Sequence, residues 1–238
     1  MKIIADTHTH TIISGDAFST LLENLREASA HGMKYLCTTD HVCSALYNAP
    51  KPEYFHSLHA LPRRWENVEI VRGVEANVID YEGNVDMPDE MMNWLEWVIA
   101  SMHTSALKPR DEKSHTAAWI GVAKNPAIDV IGHIDDHRFG FDVDMVIHAF
   151  ADYGKIVEVN EQSAVVRPGS ETLLQAVLEA CEKYGVPIVV CSDAHFVDKI
   201  ARFDRSIARL EAMGFPEERI LNADEARFAA LLVEKRGF

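Results

Sequence analysis

The sequence predicts an α/β fold, a distorted (βα)7 barrel of parallel strands in the manner of a TIM barrel. Two observations carry this. Seven short apolar segments alternate with helical ones along the chain, the order that right-handed βαβ units produce. Most of those segments also end in a histidine or a carboxylate: His8 and His10, His41, Glu75, His103, His133, and Asp193 with His195. In such barrels function collects at the C-terminal ends of the strands, and histidines scattered over a surface would not keep that phase.

The elements follow in chain order. Ile3-Ile4-Ala5 opens a strand that runs into Asp6-Thr7-His8-Thr9-His10, where alternate side chains share a face and bring three polar groups together. Thr20 and Glu23 have capping-box spacing ahead of Leu21, Leu22, Leu25 and Ala28, and Gly32 stops that helix. Residues 34–39 read as a second strand. The proline-rich stretch 48–66 reads as loop plus a short helix, with His56 and His59 at the surface. A strand over 68–78 carries Glu75 inside an apolar run and breaks at the turn composition Tyr81-Glu82-Gly83-Asn84. A helix is expected over 87–96, then a fully apolar strand from Trp97 to Met102 that runs into His103. Beyond it come a helix over 116–124, a strand over 128–132 before His133, a helix over 142–153, and a strand over 155–160 with Glu158 and Asn160. Ser170 and Gly185 bracket an amphipathic helix, Pro187 to Cys191 is the last strand, and helices over 203–213 and 224–235 close the chain.

A length of 238 residues with 47% hydrophobic content suits one domain over residues 1–238. With 23 basic and 37 acidic residues the net charge is −14, which disfavours nucleic acid and anionic membranes as partners. No apolar run approaches about 18 residues, and the N-terminal stretch lacks a signal-peptide pattern. Cys37, Cys43, Cys181 and Cys191 show no CxxC spacing and read as reduced thiols, so a cytoplasmic location is expected. Self-association is left open.

The composition is most unusual in its 12 histidines. Histidine and carboxylate ligands without cysteine fit zinc, manganese or iron, and the set is too rich in nitrogen for magnesium or calcium alone. Eight or nine ligands exceed what one ion uses, and about three divalent ions with about three protein ligands each account for the number. Carboxylates shared between ions suit the clamping of a phosphoryl group, so hydrolysis of a phosphate ester is the expected chemistry.

Taken together, Asp6-Thr7-His8-Thr9-His10-Thr11, Thr39-Asp40-His41, Gly73-Val74-Glu75, His103, Gly132-His133 and Ser192-Asp193-Ala194-His195 strongly resemble the polymerase and histidinol phosphatase (PHP) family of phosphoesterases, over nearly the whole chain and closest to its stand-alone bacterial phosphatases. The resemblance implies a seven-stranded barrel with a trinuclear metal site. One ion would take His8, His10, Glu75 and Asp193; a second would share Glu75 as a bridge with His103 and His133; a third would take His41, His195 and a residue of the loop after the first strand. That loop offers Asp16 where the nearest relatives usually offer a histidine, which would make the third site harder. After His133 the family often continues Pro-Gly, whereas this chain reads Ile134-Asp135-Asp136-His137-Arg138, altering the rim of the site.

Glu75, Asp193 and His195 are the expected catalytic residues, acting with a metal-bound hydroxide. Arg167, beside a helix start, and Arg138, near His133, are the candidates for gripping substrate phosphate. Asp6 and Asp40 are expected to orient histidine rings, while His115 and His148 are expected at the surface. The leading function is hydrolysis of a small phosphomonoester, a phosphorylated metabolite. Alternatives are a nucleotide phosphodiesterase or nuclease of the same family, or an amidohydrolase, which opens with the same HxH but commonly needs a strand-end lysine absent here.

Overall fold

The computed structural model describes residues 1–43 and 48–236. In chain order its elements are β1 (Ala5–Thr9), α1 (Leu21–Ala30), β2 (Tyr35–Thr38), α2 (Pro52–His56), β3 (Arg64–Trp65), β4 (Val68–Asn77), α3 (Asp89–Met92), β5 (Trp97–Ser101), α4 (Glu112–Lys124) and β6 (Val130–Ile131). They continue with α5 (Val143–Asp152), β7 (Ile156–Asn160), α6 (Ser163–Val166), α7 (Glu171–Tyr184), β8 (Ile188–Cys191), α8 (Asp204–Met213) and α9 (Glu225–Arg236). Seven strands pair in parallel in the order β1-β2-β4-β5-β6-β7-β8, as a nearly closed barrel, and the short β3 pairs antiparallel with β4.

Closure between β1 and β8 is partial. A parallel bridge joins Thr9 to Ala194 beyond the end of β8, with the His10 amide donating to Ala194 O at 3.0 Å. Lower in the seam the fully buried Asn222 side chain stands in for strand pairing: its Nδ2 donates to Ala5 O at 2.8 Å and Val190 O at 2.7 Å, and its Oδ1 accepts from the Val190 amide at 3.0 Å. An amide side chain can do this because it offers donor and acceptor at the spacing of a peptide group.

Strand parity sets the inside of the barrel. Ala5, Cys37, Val71, Ile99, Val130, Ile156 and Val189, one from each parallel strand, form a cluster with Phe228 and Leu232 of α9. Helix α9 therefore plugs the N-terminal end, and full burial of a phenylalanine or leucine there contributes about 1.5–3 kcal/mol each. Moving two residues at a time toward the C-terminal end on the same faces, the side chains turn polar: Val71 leads to Gly73 and Glu75, Ile156 to Glu158 and Asn160, Val189 to Cys191 and Asp193. Opposite parity (Leu36, Ile70, Val98, Ile131, Val157, Val190) packs against the helices. The β1–β2 register shifts between Asp6 and Thr9, and this irregularity accompanies the turn of His8 and His10 into the site.

Local chemistry explains most boundaries. Thr20 accepts from the Glu23 amide and Glu23 accepts from the Thr20 amide, so the capping box that starts α1 is complete. Thr20→Ala should destabilise the protein by about 1 kcal/mol in denaturant unfolding with the slope unchanged, and an unchanged midpoint would show that the box contributes nothing. The expected helix over 87–96 shrinks to α3. Pro88 sets its start, and Glu96 is already in strand pairing, exchanging hydrogen bonds with the Arg72 backbone through its own amide and its carboxylate at 2.8 Å each. Helix α4 begins earlier than its apolar periodicity suggested because Asp111 accepts from the Ser114 amide as N-cap. His115, expected at the surface, is buried: Nδ1 donates to Gly140 O at 2.9 Å and Nε2 accepts from the Arg110 amide at 2.7 Å. His148 is exposed as expected. No helix among the described residues is long and apolar enough to cross a membrane. The four cysteines are free, three of them buried.

Candidate metal centre

At the C-terminal mouth of the barrel the strand ends bring His8, His10, His41, Glu75, His103, His133, Asp193 and His195 into one cluster, and the loop after β1 adds Asp16. Glu75 lies at its middle. Its Oε2 is 2.8 Å from His41 Nδ1, 3.3 Å from His8 Nε2 and 3.6 Å from His10 Nε2. Its other oxygen is 3.0 Å from His133 Nε2 and 3.4 Å from His103 Nε2. Asp193 Oδ1 is 3.2 Å from His10 Nε2 and 3.7 Å from His8 Nε2. Asp16 Oδ2 is 3.4 Å from His195 Nε2 and 3.6 Å from His41 Nε2.

The outer face of four rings is tied down. His8 Nδ1 donates to Glu158 Oε2 at 2.7 Å, His10 Nδ1 to Ser14 Oγ at 3.0 Å, His103 Nδ1 to Asn77 Oδ1 at 2.7 Å, and His195 Nδ1 to Asp193 O at 3.0 Å. Each of these bonds fixes the tautomer and leaves the Nε2 lone pair facing the cluster, the orientation that partners beyond the first ligands give a metal-binding imidazole. Ser14 in turn donates to Asp40 Oδ1 at 2.7 Å, so Asp40 orients His10 through the serine. Asp6 differs from the expectation that it would orient a ring: it accepts from the Ser192 amide at 3.0 Å and the Ala201 amide at 2.9 Å, and thereby pins the loop after β8. Glu158, given no role in the sequence reading, also accepts from the His133 amide at 3.0 Å, and Asn160 donates to both Glu158 and Asp193 at 2.9 Å. The available signal was a carboxylate on an apolar strand at the parity of Glu75.

Backbone conformation serves the same residues. His133 and Asp193 have φ of 25° and 51°, a region that costs a side-chain-bearing residue of order 1–3 kcal/mol and persists only where the surroundings enforce it. A Cβ on Gly132, before His133, would lie 2.2 Å from Ser101 Oγ and 2.8 Å from Ile99 Cγ2, so a larger residue there would have to displace both side chains.

Electrostatics separates the rings. Burial and the neighbouring His195 and His41 push His10 down to about 3, and burial brings His103 to about 4 against the pull of Glu75, so both stand as neutral imidazoles. Burial opposes a proton on His41 too, yet Glu75 and Asp16 raise it to about 10. Glu75 and Asp193 are held well below the usual carboxylate range, against burial, by the facing histidines.

The donor set fits divalent cations. Buried and without hydrogen-bond partners are His8 Nε2, His10 Nε2, His41 Nδ1, Glu75 Oε2 and Asp16 Oδ1, although several sit 2.8–3.6 Å from one another. Close approach without hydrogen-bond alignment, at the roughly 3.3 Å edge of a tetrahedron with bonds of about 2.0–2.1 Å, is what ligands of a common ion show. Among the described residues four groupings have ligand atoms close enough to hold an ion: His8-His10-Glu75, His41-Glu75-His103, His10-His41-His195, and His8-Glu158-Cys191 on the inner side.

A cavity of about 410 Å³ opens over the cluster and is lined by Asp16, His41, His103, His133, Asp193 and His195 on its floor and by Arg167 at its side. The Arg167 side chain is largely buried, with Nη1 donating to Ser163 Oγ at 3.4 Å and Nη2 3.7 Å from Asp193 Oδ2. Arg138 is not brought to this cavity. Its guanidinium is half exposed and bound to both oxygens of Asp136, which also caps the turn at 137–139. His137 likewise stays on the exposed rim turn.

The chain is similar to several known proteins. A protein of Caldanaerobacter subterraneus named as a probable phosphatase is 40% identical over 99% of this chain and 93% of its own length. Another of that name, from Acetivibrio thermocellus, is 40% identical over 99% of this chain and 98% of its own. The crystal structure of a histidinol phosphate phosphatase of Lactococcus lactis, complexed with zinc, L-histidinol and phosphate, shares the fold at a TM-score of 0.63 and 20% identity, covering 98% of this chain and 94% of that one. Residues 6–162 match the PHP domain, and with relatives this similar along nearly its full length the chain belongs to the PHP domain family.

Proposed function

We propose that this chain, acting as one domain, is a metal-dependent phosphatase that hydrolyses a small phosphomonoester at a site of three divalent ions drawn from zinc, manganese and iron. The observation that carries the reading is the set of four imidazoles anchored at Nδ1, with Nε2 of His8, His10 and His103 turned onto Glu75 and Asp193 and that of His195 onto Asp16, beside the guanidinium of Arg167. His8, His10, Glu75 and Asp193 would hold one ion, Glu75, His103 and His133 a second, and His41, His195 and Asp16 the third. Such ions supply a nucleophile from water at neutral pH and neutralise the charge that grows on the phosphoryl oxygens.

The chain's own residues do the rest. Arg167, held by Ser163 and Asp193, donates to the non-bridging oxygens and orients the phosphoryl group over the cluster. Glu158, Ser14 and Asn77 keep the rings from rotating as charge builds, so no reorganisation is needed at the moment of reaction. Among the described residues two cations, Arg167 and Lys199, line the cavity, enough for one phosphate and short of a groove for a nucleic-acid backbone.

Protein reconstituted separately with each metal should turn over monoesters about a hundredfold faster than bis(p-nitrophenyl) phosphate and should leave amides and lactones intact. A preference for the diester would favour the nuclease reading, and one for amides the amidohydrolase. Elemental analysis of protein purified without chelator should approach three ions per chain. One ion or fewer after zinc and manganese supplementation would overturn the trinuclear site.

A further inference from the structure

The cavity above the cluster is chemically divided. Its floor is histidine and carboxylate, whereas its wall includes Phe18, Phe196 and Val166, which are 76%, 50% and 55% exposed. Single exposed apolar residues are ordinary, but apolar side chains gathered at the mouth of a polar site mark a surface that something covers. The two phenylalanines do not sit on loose loops. The Phe18 amide donates to His195 O at 2.9 Å and the Val197 amide donates to Ser19 Oγ at 2.8 Å, so the segments carrying them are laced together. Phe18 lies two residues after Asp16 and Phe196 one after His195, which fixes both rings to the edge of the cluster. Val166 is the neighbour of Arg167 at the end of α6, so it stands beside the group that would grip the phosphate.

We infer that the site selects monoesters whose alcohol carries an aromatic ring close to the ester oxygen, with Phe18 and Phe196 as specificity-determining residues. This rests on the phosphatase reading above. A phosphoryl group held by Arg167 and the cluster occupies only the floor. The cavity, at about 410 Å³, is within the range of small-molecule sites, roughly 300–1,000 Å³. The remaining space is bounded by the phenylalanines and Val166, against which an aromatic ring gains both buried area and ring–ring contact. A polyol there would lose water from its hydroxyls and find few partners on that wall. Lys199 and Gln162 supply the wall's polar remainder, and a cation near an aromatic substrate face is compatible with such a ligand.

Benzyl phosphate and glycerol 3-phosphate test the inference, since both release primary alcohols and differ little in leaving-group acidity. The metal-loaded enzyme should prefer the benzyl ester by about tenfold or more in kcat/KM, and Phe18→Ala and Phe196→Ala should each bring that ratio down several-fold, chiefly through KM. Benzylphosphonate should inhibit the parent better than methylphosphonate does, with the advantage reduced in both variants. Phe18→Ala should melt with the parent because the ring is mostly in water. A ratio near one in the parent, or one unchanged in both variants, would overturn the inference and leave the phosphatase reading standing. If no monoester is turned over, the phosphatase reading fails, and calorimetric binding of the two phosphonates to the metal-loaded protein then decides the inference alone: equal affinities overturn it.

Discussion

Glu75→Gln is expected to lower turnover by about a thousandfold and to loosen two ions together. The carboxylate is 1% exposed and its oxygens face different sets of imidazoles, His8, His10 and His41 on one side and His103 and His133 on the other. A carboxamide keeps the shape but turns one of those oxygens into a donor with no lone pair. Whichever way it is flipped, one set of nitrogens meets an N–H instead of a charge that binds a cation. Removing one preorganised group that stabilises charge at the reacting centre typically costs about 10²–10³ in turnover, and the loss of ions with it puts the effect at the upper end. Elemental analysis after dialysis should show about two ions fewer per chain, while the fold survives because the substitution is isosteric. Full metal content with near-parental turnover would show that Glu75 does not bridge.

Much of this site was legible because strand ends have a phase. Histidine or carboxylate at the close of successive apolar runs points to one rim, and His8, His10, His41, Glu75, His103, His133, Asp193 and His195 meet there. What the pattern could not convey is anything that depends on tertiary closure. Asn222 falls between the two expected terminal helices, and only the gap between β1 and β8 gives its amide a purpose. Glu158 was visible as a carboxylate on an apolar strand, but its partner His8 lies 150 residues away. The left-handed backbone at His133 and Asp193 has only a weak composition signature, because His and Asp adopt a positive φ more readily than most residue types yet do so at few of their positions. Arg167 and Arg138 are both candidates by position, and what separates them is local: Asp136, two residues away, engages Arg138, while Ser163 and Asp193 turn Arg167 to the cavity.

Asp16 is where the chain departs from the histidine that its resemblance led one to expect, and its removal should have the second-largest effect. A simpler role, capping the helix that follows, is excluded because Thr20 caps α1 through the Glu23 amide. Instead Asp16 Oδ2 lies 3.4 Å from His195 Nε2 and 3.6 Å from His41 Nε2, and its other oxygen is buried without a partner. Those two histidines also hold its carboxyl well below the usual range, against the cost of burial, so it is an anion at any working pH. An oxygen ligand in place of nitrogen adds negative charge and hardness, which moves the preference of that ion from zinc toward manganese or iron. Asp16→Ala is therefore expected to lose about one ion of the three and about a hundredfold in turnover, with the ions on Glu75 retained. Asp16→His should return a nitrogen-rich site, and competition between zinc and manganese, read by elemental analysis after equilibration with both, should swing toward zinc. If Asp16→Ala keeps its full metal content and turnover, Asp16 has no place on the third ion and the site is held by His41 and His195 alone.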